Sequence, residues 1–583
     1  MGFGQRQLFV FAMIVATVAV GCAPPGPPAQ TTGGADTSTP PQREPGRSKT
    51  LTMALTTIVD GFSIAASSTT GGGGLAYVEL HSAPLVTADK TSSQPIGRLA
   101  TSAPSLESGD LVILPDGRMT ATYRLRRDAT WHDGVPVTSK DLVFTYNLAK
   151  NPNLPIIDSG PTKLMDAVAA PDDHTFVITF RQPYYLADSL GLRAFWPLPS
   201  HLLQADYERL DPKEFVNLPY WTTQYVHAGP FKLAQFSPGT ELVFEAYDGY
   251  FLGRPKVDRI VVKQFADENA AYASVLAGAI DLTVDNVLSA EQIFDLKEQW
   301  DANNGGSVYI GTGNIGFASV QFDPSVPDYQ PALQDKRVRQ ALYTAIDRAA
   351  YADVAIRGRS ERVADSILPN DDPLYPYVKG GMDRYAYDPN RASAMLQETG
   401  WRRGPDGVLV NPAGTRFTVL IRGNAQTGPV LVDMWKRLGI DGREYEIPAH
   451  LLRDRAFRSQ FPGVELTARG SRDSILTRLE CAEIPTAQNT YSGNNRGKWC
   501  NQQYEDLVAR YRGSLRLEER GQAMKQIQDL VAEEVPYMLL SVGVSGALAR
   551  RGVTAFRDDW TGGADAGRIY GTHSRNAHEW DVQ

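Results

Sequence analysis

The chain has 583 residues, 42% of them hydrophobic and 21% charged, with a formal net charge of −8 and three cysteines. That length exceeds what one hydrophobic core supports, so two or three domains of ordinary globular composition are expected. The acidic balance, with no Lys/Arg-rich run, excludes nucleic acid as a partner, and no later stretch reaches the roughly eighteen apolar residues of a membrane span.

At the N-terminus, Arg6 precedes the apolar run LFVFAMIVATVAV, which ends in Gly21-Cys22. A helix of that length rises only about 20 Å against a bilayer core of roughly 30 Å, so residues 1–21 read as an export signal rather than a span. Ala19-Val20-Gly21-Cys22 is similar to the lipobox of bacterial lipoproteins, with Ala19 where Leu is usual, and it marks Cys22 for lipidation. An ordinary cleaved signal that ends near a cysteine is the alternative. Residues 22–49 are rich in Pro, Gly, Ser and Thr and nearly free of aliphatic side chains, the composition of a flexible tether. With Cys22 carrying lipid, Cys481 and Cys500 remain, and outside the cytoplasm such a pair reads as a disulfide.

LTMALTTIV (51–59) is a short strand, and the glycines Gly71 to Gly74 lack the Gly-Lys-Ser/Thr of a phosphate loop. From Met119 to Arg126 apolar and polar residues alternate strictly, the period of a half-buried strand. Trp131-His132-Asp133-Gly134 then leads to Thr138 and Asp141, spaced as a capping pair for a helix that runs on through LVFTYNLAK. With the strand TFVITF (175–180), residues 80–215 read as α+β. Two strands flank Ser237-Pro238-Gly239, and RIVVKQF, the helix from Asp267 to a C′ Gly278, and AIDLTV follow as strand, helix, strand. Further helices are expected over DKRVRQALYTAIDR (335–348), RASAMLQETG, YEDLVARYRG and ERGQAMKQIQDLVAEE, and VPYMLLSVGVSGALARRGV is strand-like.

Several of these segments, in this order, resemble the bacterial extracellular solute-binding proteins of family 5, the oligopeptide- and dipeptide-binding proteins of ABC importers. DGRMTATYRLRRDATWHDGVPVTSKDLVFTYN is similar to the family's strand, "W/F-H-D-G-x-P" turn and capped helix. AGPFKLAQFSPGTELVFEAYDGYFLGRPKVDRIVVKQFADENAAYASVLAGAIDL resembles its central stretch, DKRVRQALYTAIDRAAY the helix opening its third segment, and NAHEWDV its ending. The resemblance covers residues 50–583. It implies an α/β, two-lobed periplasmic-binding-protein-like fold of the class II type with an extra small α+β domain. Lobe I takes 50–75, 216–315 and 537–583, the accessory domain 76–215 and lobe II 316–536, with hinge crossings at Gly316-Phe317 and Pro536-Tyr537. A substrate-binding lipoprotein is implied: a monomer, outside the cytoplasm in the periplasm or on the outer face of the membrane. It would be held by its lipid, would need no cofactor or metal, and would pass a small solute, an oligopeptide first, to ABC permease subunits.

Peptide-binding members carry a lobe II carboxylate, in a stretch like "W-x-x-D-Y-x-D-P", that meets the ligand ammonium. FPGVELTARGSRDSILTRLECAEIPT occupies that region here without the pattern, and Asp473 is the nearest acid, either a ligand contact or a turn or cap residue. The resemblance also puts the Cys481–Cys500 segment on the cleft side of lobe II. Asn489, Tyr491, Asn494 and Trp499 there suit hydrogen bonding and stacking to a polar solute, peptide or oligosaccharide; an exposed loop whose Trp499 packs on its own lobe is the alternative. A zinc site lacks the partners the two cysteines would need. A secreted hydrolase is the reading from another class: Gly543-Val544-Ser545-Gly546-Ala547 has Ala where a nucleophile elbow needs Gly, and His132 beside Asp133 falls in a turn the family uses structurally.

Overall fold

The computed structural model describes residues 48–583 apart from 63–73, 90–93, 155–159, 193, 285–286, 424–425, 446–447, 449–450, 452–453, 471 and 557–571. The export signal, Cys22, most of the tether and Gly71–Gly73 lie outside the described residues. Among the described residues no helix is long and apolar enough to cross a membrane.

Ten strands form one mixed sheet. Thr50–Leu55 runs parallel to Arg259–Gln264 on one side and to Leu282–Thr283 on the other. The hairpin Phe231–Ser237/Glu241–Ala246 extends the first edge. At the other end, Thr418–Arg422 lies between Asp441–Tyr445 and Val464–Arg469, all three parallel. Two long strands, Gly306–Val320 and Tyr537–Arg550, pair antiparallel and join these halves. The first strand's later residues take Val464–Arg469 as their second neighbour, and the end of the second takes Leu282–Thr283. The sheet is therefore two sheets sharing one pair of strands, and each half buries its own apolar cluster.

Local chemistry explains the elements the sequence marks. Asp267 caps the helix Glu268–Leu276 by accepting from the amides of Asn269 and Ala270, and Gly278 follows at φ +71°. Asp335 caps Lys336–Thr344 in the same way through Arg337 N–H. Asp141, buried in the first turn of Ser139–Lys150, accepts from the Thr138 amide at 2.8 Å and from the Ser200 amide at 2.9 Å, so one carboxylate fixes both the cap and the next loop. The alternation at 119–124 becomes a strand of a separate four-stranded antiparallel sheet, with Met119, Ala121 and Tyr123 fully buried. His132 is half-buried: its Nε2 donates to the Gly229 carbonyl at 3.0 Å, and burial pushes its pKa down to about 4.

The four-stranded block does not rest on one half of the large sheet alone. Tyr185, in the segment after its last strand, donates its amide to the Arg512 carbonyl at 3.1 Å. Its ring lies 4.9 Å from Tyr511, and the Arg520 guanidinium sits over it at 5.2 Å.

Candidate ligand-binding cleft

The junction of the two halves is a local irregularity in the long strands. The ladder holds register from Gly306↔Arg550 to Thr312↔Val544 and resumes at Ile315↔Val542. Gly313 and Asn314 thus face the single residue Gly543, the two-against-one arrangement of a β-bulge, which bends a strand and sharpens its twist. The resemblance places the crossings at Gly316-Phe317 and Pro536-Tyr537. A second register shift separates Gly316↔Ser541 from Phe317↔Leu539, with Leu540 the extra residue, at the first of these positions.

Several polar groups surround this crossing. Arg362 Nη1 donates to the Gly543 carbonyl at 3.1 Å, and Val542 N–H donates to the Arg362 carbonyl at 2.8 Å. Burial raises the carboxyl of neighbouring Asp371, whose Oδ1 has no hydrogen-bond partner among the described residues. On the other side, Arg469 ends its strand opposite Ile315, the first residue past the break. None of these residues was singled out from the sequence.

Cys481 and Cys500 are joined, with Cα atoms 4.9 Å apart. The base of the loop they close is tied to the helix Gln502–Gly513, the same helix whose Tyr511 meets Tyr185. Arg512 makes a double contact with Glu480 at 2.7 Å, and Cys481 N–H donates to Glu505 at 2.8 Å. The return limb packs at the end of Gly306–Val320 away from the crossing: Phe322 N–H donates to the Gly497 carbonyl and Lys498 pairs with Asp323 at 2.6 Å.

Within the loop the polar groups are largely engaged with one another. The Asn489 amide accepts from Thr486 N–H at 2.9 Å and donates to the Ile484 carbonyl at 2.8 Å. The exposed Asn494 contacts Glu483 through its backbone and side-chain nitrogens at 3.2 and 3.3 Å. Thr490 and half-buried Tyr491 form a tight tip at φ +52° and +54°. Trp499 is buried against Tyr504, ring centroids 5.4 Å apart. Asp473 falls in the short helix Arg472–Leu476, and its side chain lies outside the described residues.

A second polar cluster occupies the same half of the molecule. Glu465, 3% exposed, accepts from Arg422 at 2.9 Å and from Arg496 at 2.8 Å. Burial pushes its carboxyl up, but Arg496, Arg422 and Arg478 outweigh that and hold it below the usual carboxylate range. Arg422 also donates to the carbonyls of Phe457 and Arg458 and lies 5.0 Å over the Phe461 ring. No motif spacing announces this cluster; the strands Thr418–Arg422 and Val464–Arg469 that carry two of its members both end in arginine.

A two-part α/β sheet crossed by two strands, with polar groups gathered at the crossing, defines a two-lobed binding protein. Residues 94–458 match the family described as bacterial extracellular solute-binding proteins, family 5 Middle, and the chain belongs to that family. A Brucella ovis protein named for ABC-transporter peptide binding is 30% identical over 368 residues, 60% of this chain and 62% of that protein, so the chain aligns with less than two thirds of that relative's length. The Escherichia coli dipeptide-binding protein is 25% identical over 73% of this chain and 78% of its own. The Thermus thermophilus oligopeptide-binding protein, solved with a pentapeptide, shares the fold at a TM-score of 0.72 and 23% identity, covering 91% of this chain and 96% of that one. The chain is thus a member of a family of solute-binding proteins, and the relatives above are named for binding peptides, not for an enzymatic activity.

Proposed function

We propose that the protein captures a peptide-like solute between its two lobes and hands it to a membrane permease. The observation that carries this reading is the bulged crossing of Gly306–Val320 and Tyr537–Arg550, the one pair of strands shared by the two halves of the sheet. A bend at the two irregularities, Gly313–Asn314 against Gly543 and Leu540 opposite Gly316-Phe317, lets the halves close on a ligand as rigid bodies, and the ligand stabilises closure by its differential affinity for that state. Lobe I is then 50–75, 216–315 and 537–583, lobe II 316–536, and 76–215 is the accessory domain. Contacts also reach between the parts away from the crossing. Arg359 sits 4.2 Å over Phe294 of the helix Ala290–Asn303, next to an ion pair of Arg357 with Glu291, and Tyr185 meets Tyr511.

The peptide assignment rests on the names of the relatives, and the disulfide-closed loop with Tyr491, Asn489, Asn494 and Trp499 is offered as the part of lobe II that shapes the site, with Asp473 beside it. Cys22 as a lipid anchor on a tether, an extracytoplasmic location and a monomeric state complete the reading; the Cys481–Cys500 bond supports the location. Native mass spectrometry of the purified protein tests it. Short peptides released on denaturation are expected; recovery of oligosaccharides in their place would overturn the peptide assignment.

A further inference from the structure

The accessory domain touches both lobes, and it does so unequally. Toward lobe I its fastenings are polar and spread over several elements. Gly229 N–H donates to the His81 carbonyl at 3.0 Å, and Tyr247 Oη donates to the Trp131 carbonyl at 2.8 Å. The end of the chain fastens the same side. Thr572 N–H donates to buried Glu79 at 2.8 Å, Arg575 Nε to the Ala88 carbonyl at 3.1 Å, and Arg98 Nη2 to Asn576 at 2.8 Å. Phe144 and Leu148 of the helix Ser139–Lys150 complete the joint by packing in lobe I's apolar cluster.

Toward lobe II the domain presents the segment 184–188. Phe180, Tyr184, Tyr185 and Tyr511 form a row of rings with centroids 5.4, 5.8 and 4.9 Å apart in turn, which runs from the accessory sheet onto the helix Gln502–Gly513. Tyr185 is 4% exposed, and the Arg520 guanidinium over its ring is held by donating from Nη1 to the Leu515 carbonyl at 2.9 Å. Burial raises the carboxyl of half-buried Asp188, and Ser189 and then the charge of Arg520 act against that. Arg512, whose carbonyl accepts from Tyr185 N–H, also grips Glu480 at the base of the disulfide loop. Arg520 stands in the first turn of Leu517–Glu534, and the other end of that helix runs into the crossing at Pro536-Tyr537. About 20 Å of helix therefore lies between this contact and the pivot. A contact at that distance breaks when the lobes swing apart.

Resting on the two-lobed solute-binding reading above, we propose that the accessory domain is the latch of the closed form, travelling with lobe I and holding lobe II through Tyr185. The ring pair and the cation over it are made only when the lobes are shut, so they favour closure before any solute arrives as well as after. A latch acts on the closing equilibrium and not on the solute. Its loss therefore weakens every solute that binds the closed form by the same factor. That factor is about tenfold for one aromatic pair and one desolvated cation–π contact.

Small-angle scattering without added solute, and calorimetric titration with a random tripeptide mixture and a random pentapeptide mixture, test this on the parent, Tyr185→Ala and Arg520→Gln. Both variants are expected to be more expanded than the parent before any peptide is added. Tyr185→Ala should weaken both mixtures about tenfold and by the same factor, as the loss of one aromatic pair and one cation–π contact implies. Tyr185 is buried, so Arg520→Gln, at a half-buried position, carries the test if Tyr185→Ala fails to fold. Variants that expand while neither mixture binds the parent would support the latch and overturn the peptide assignment. Variants with the parent's size and affinities would overturn the latch and leave the peptide assignment standing. Weakening of one mixture alone would place Tyr185 on the solute and overturn the latch.

Discussion

Gly313 and Gly543 face each other where the two long strands lose register, so closely that a Cβ on Gly313 would lie 2.7 Å from the Val544 carbonyl carbon and one on Gly543 would lie 2.9 Å from the Asn314 oxygen. Neither needs a left-handed backbone; each is small because another backbone occupies the space. Gly313→Ala and Gly543→Ala should each lower stability by about 1–3 kcal/mol, the usual cost of overpacking. They should also weaken ligand-induced compaction in small-angle scattering. Equilibrium denaturation checks the first effect, and a Gly313→Ala protein as stable and as compactible as the parent would show that the crossing is not the hinge.

The pair Arg422–Glu465 gives a second expectation. Both side chains are at most 4% exposed, and Glu465 is the carboxylate at the centre of a cationic cluster. Removing one partner of a buried ion pair strands the other, at about 3–5 kcal/mol. Glu465→Gln should show a loss of that order in guanidinium denaturation, larger than the loss for an exposed pair such as Lys525–Asp529, worth at most about 1 kcal/mol.

What the sequence makes legible and what it hides divide along the range of the interactions. The cap at Asp267, the Thr138/Asp141 pair and the alternation at 119–124 depend on neighbours a few residues away, and all appear as read. The register break does not: Gly313 owes its role to a strand more than two hundred residues later in the chain. The arginine cluster is hidden for the same reason. Each of Arg422, Arg458, Arg469, Arg478 and Arg496 reads singly as a solvated surface charge, and only the pairing of Thr418–Arg422 with Val464–Arg469 brings them together. The cysteines were legible as a pair, but not the packing of their loop's return limb at the far end of a long strand.

The disulfide makes a third prediction. Its cysteines are 19 residues apart in sequence, and closing a loop of that size restricts the unfolded chain by about 3 kcal/mol. Because Asn489, Asn494 and Asn495 hold the loop together without the bond, the folded loop should persist while global stability falls. Replacing Cys481 and Cys500 together by serine should lower the unfolding free energy by up to that amount, with limited proteolysis still sparing residues 485–498. Rapid cleavage within that stretch would show that the bond, and not the amide network, shapes the loop.

A group of three neighbouring histidines sets an acid limit. His132 is held at about 4 by burial, and His81 and His227 are pushed well below the usual histidine value by burial, then by neighbouring histidines. A base whose folded pKa lies below its unfolded value of about 6.5 takes up its proton first in the unfolded chain. The fold is therefore at full strength from these groups above pH 6.5 and weakens as pH falls from there toward 4, by up to about tenfold in the folding equilibrium per pH unit for each histidine. Denaturant titrations at pH 7.5, 6 and 5 on the parent and on His132→Gln check it. The variant should lose stability less steeply across that window, by close to one proton's worth of slope. Equal slopes would mean that His132 takes its proton as readily in the folded protein as in the unfolded chain.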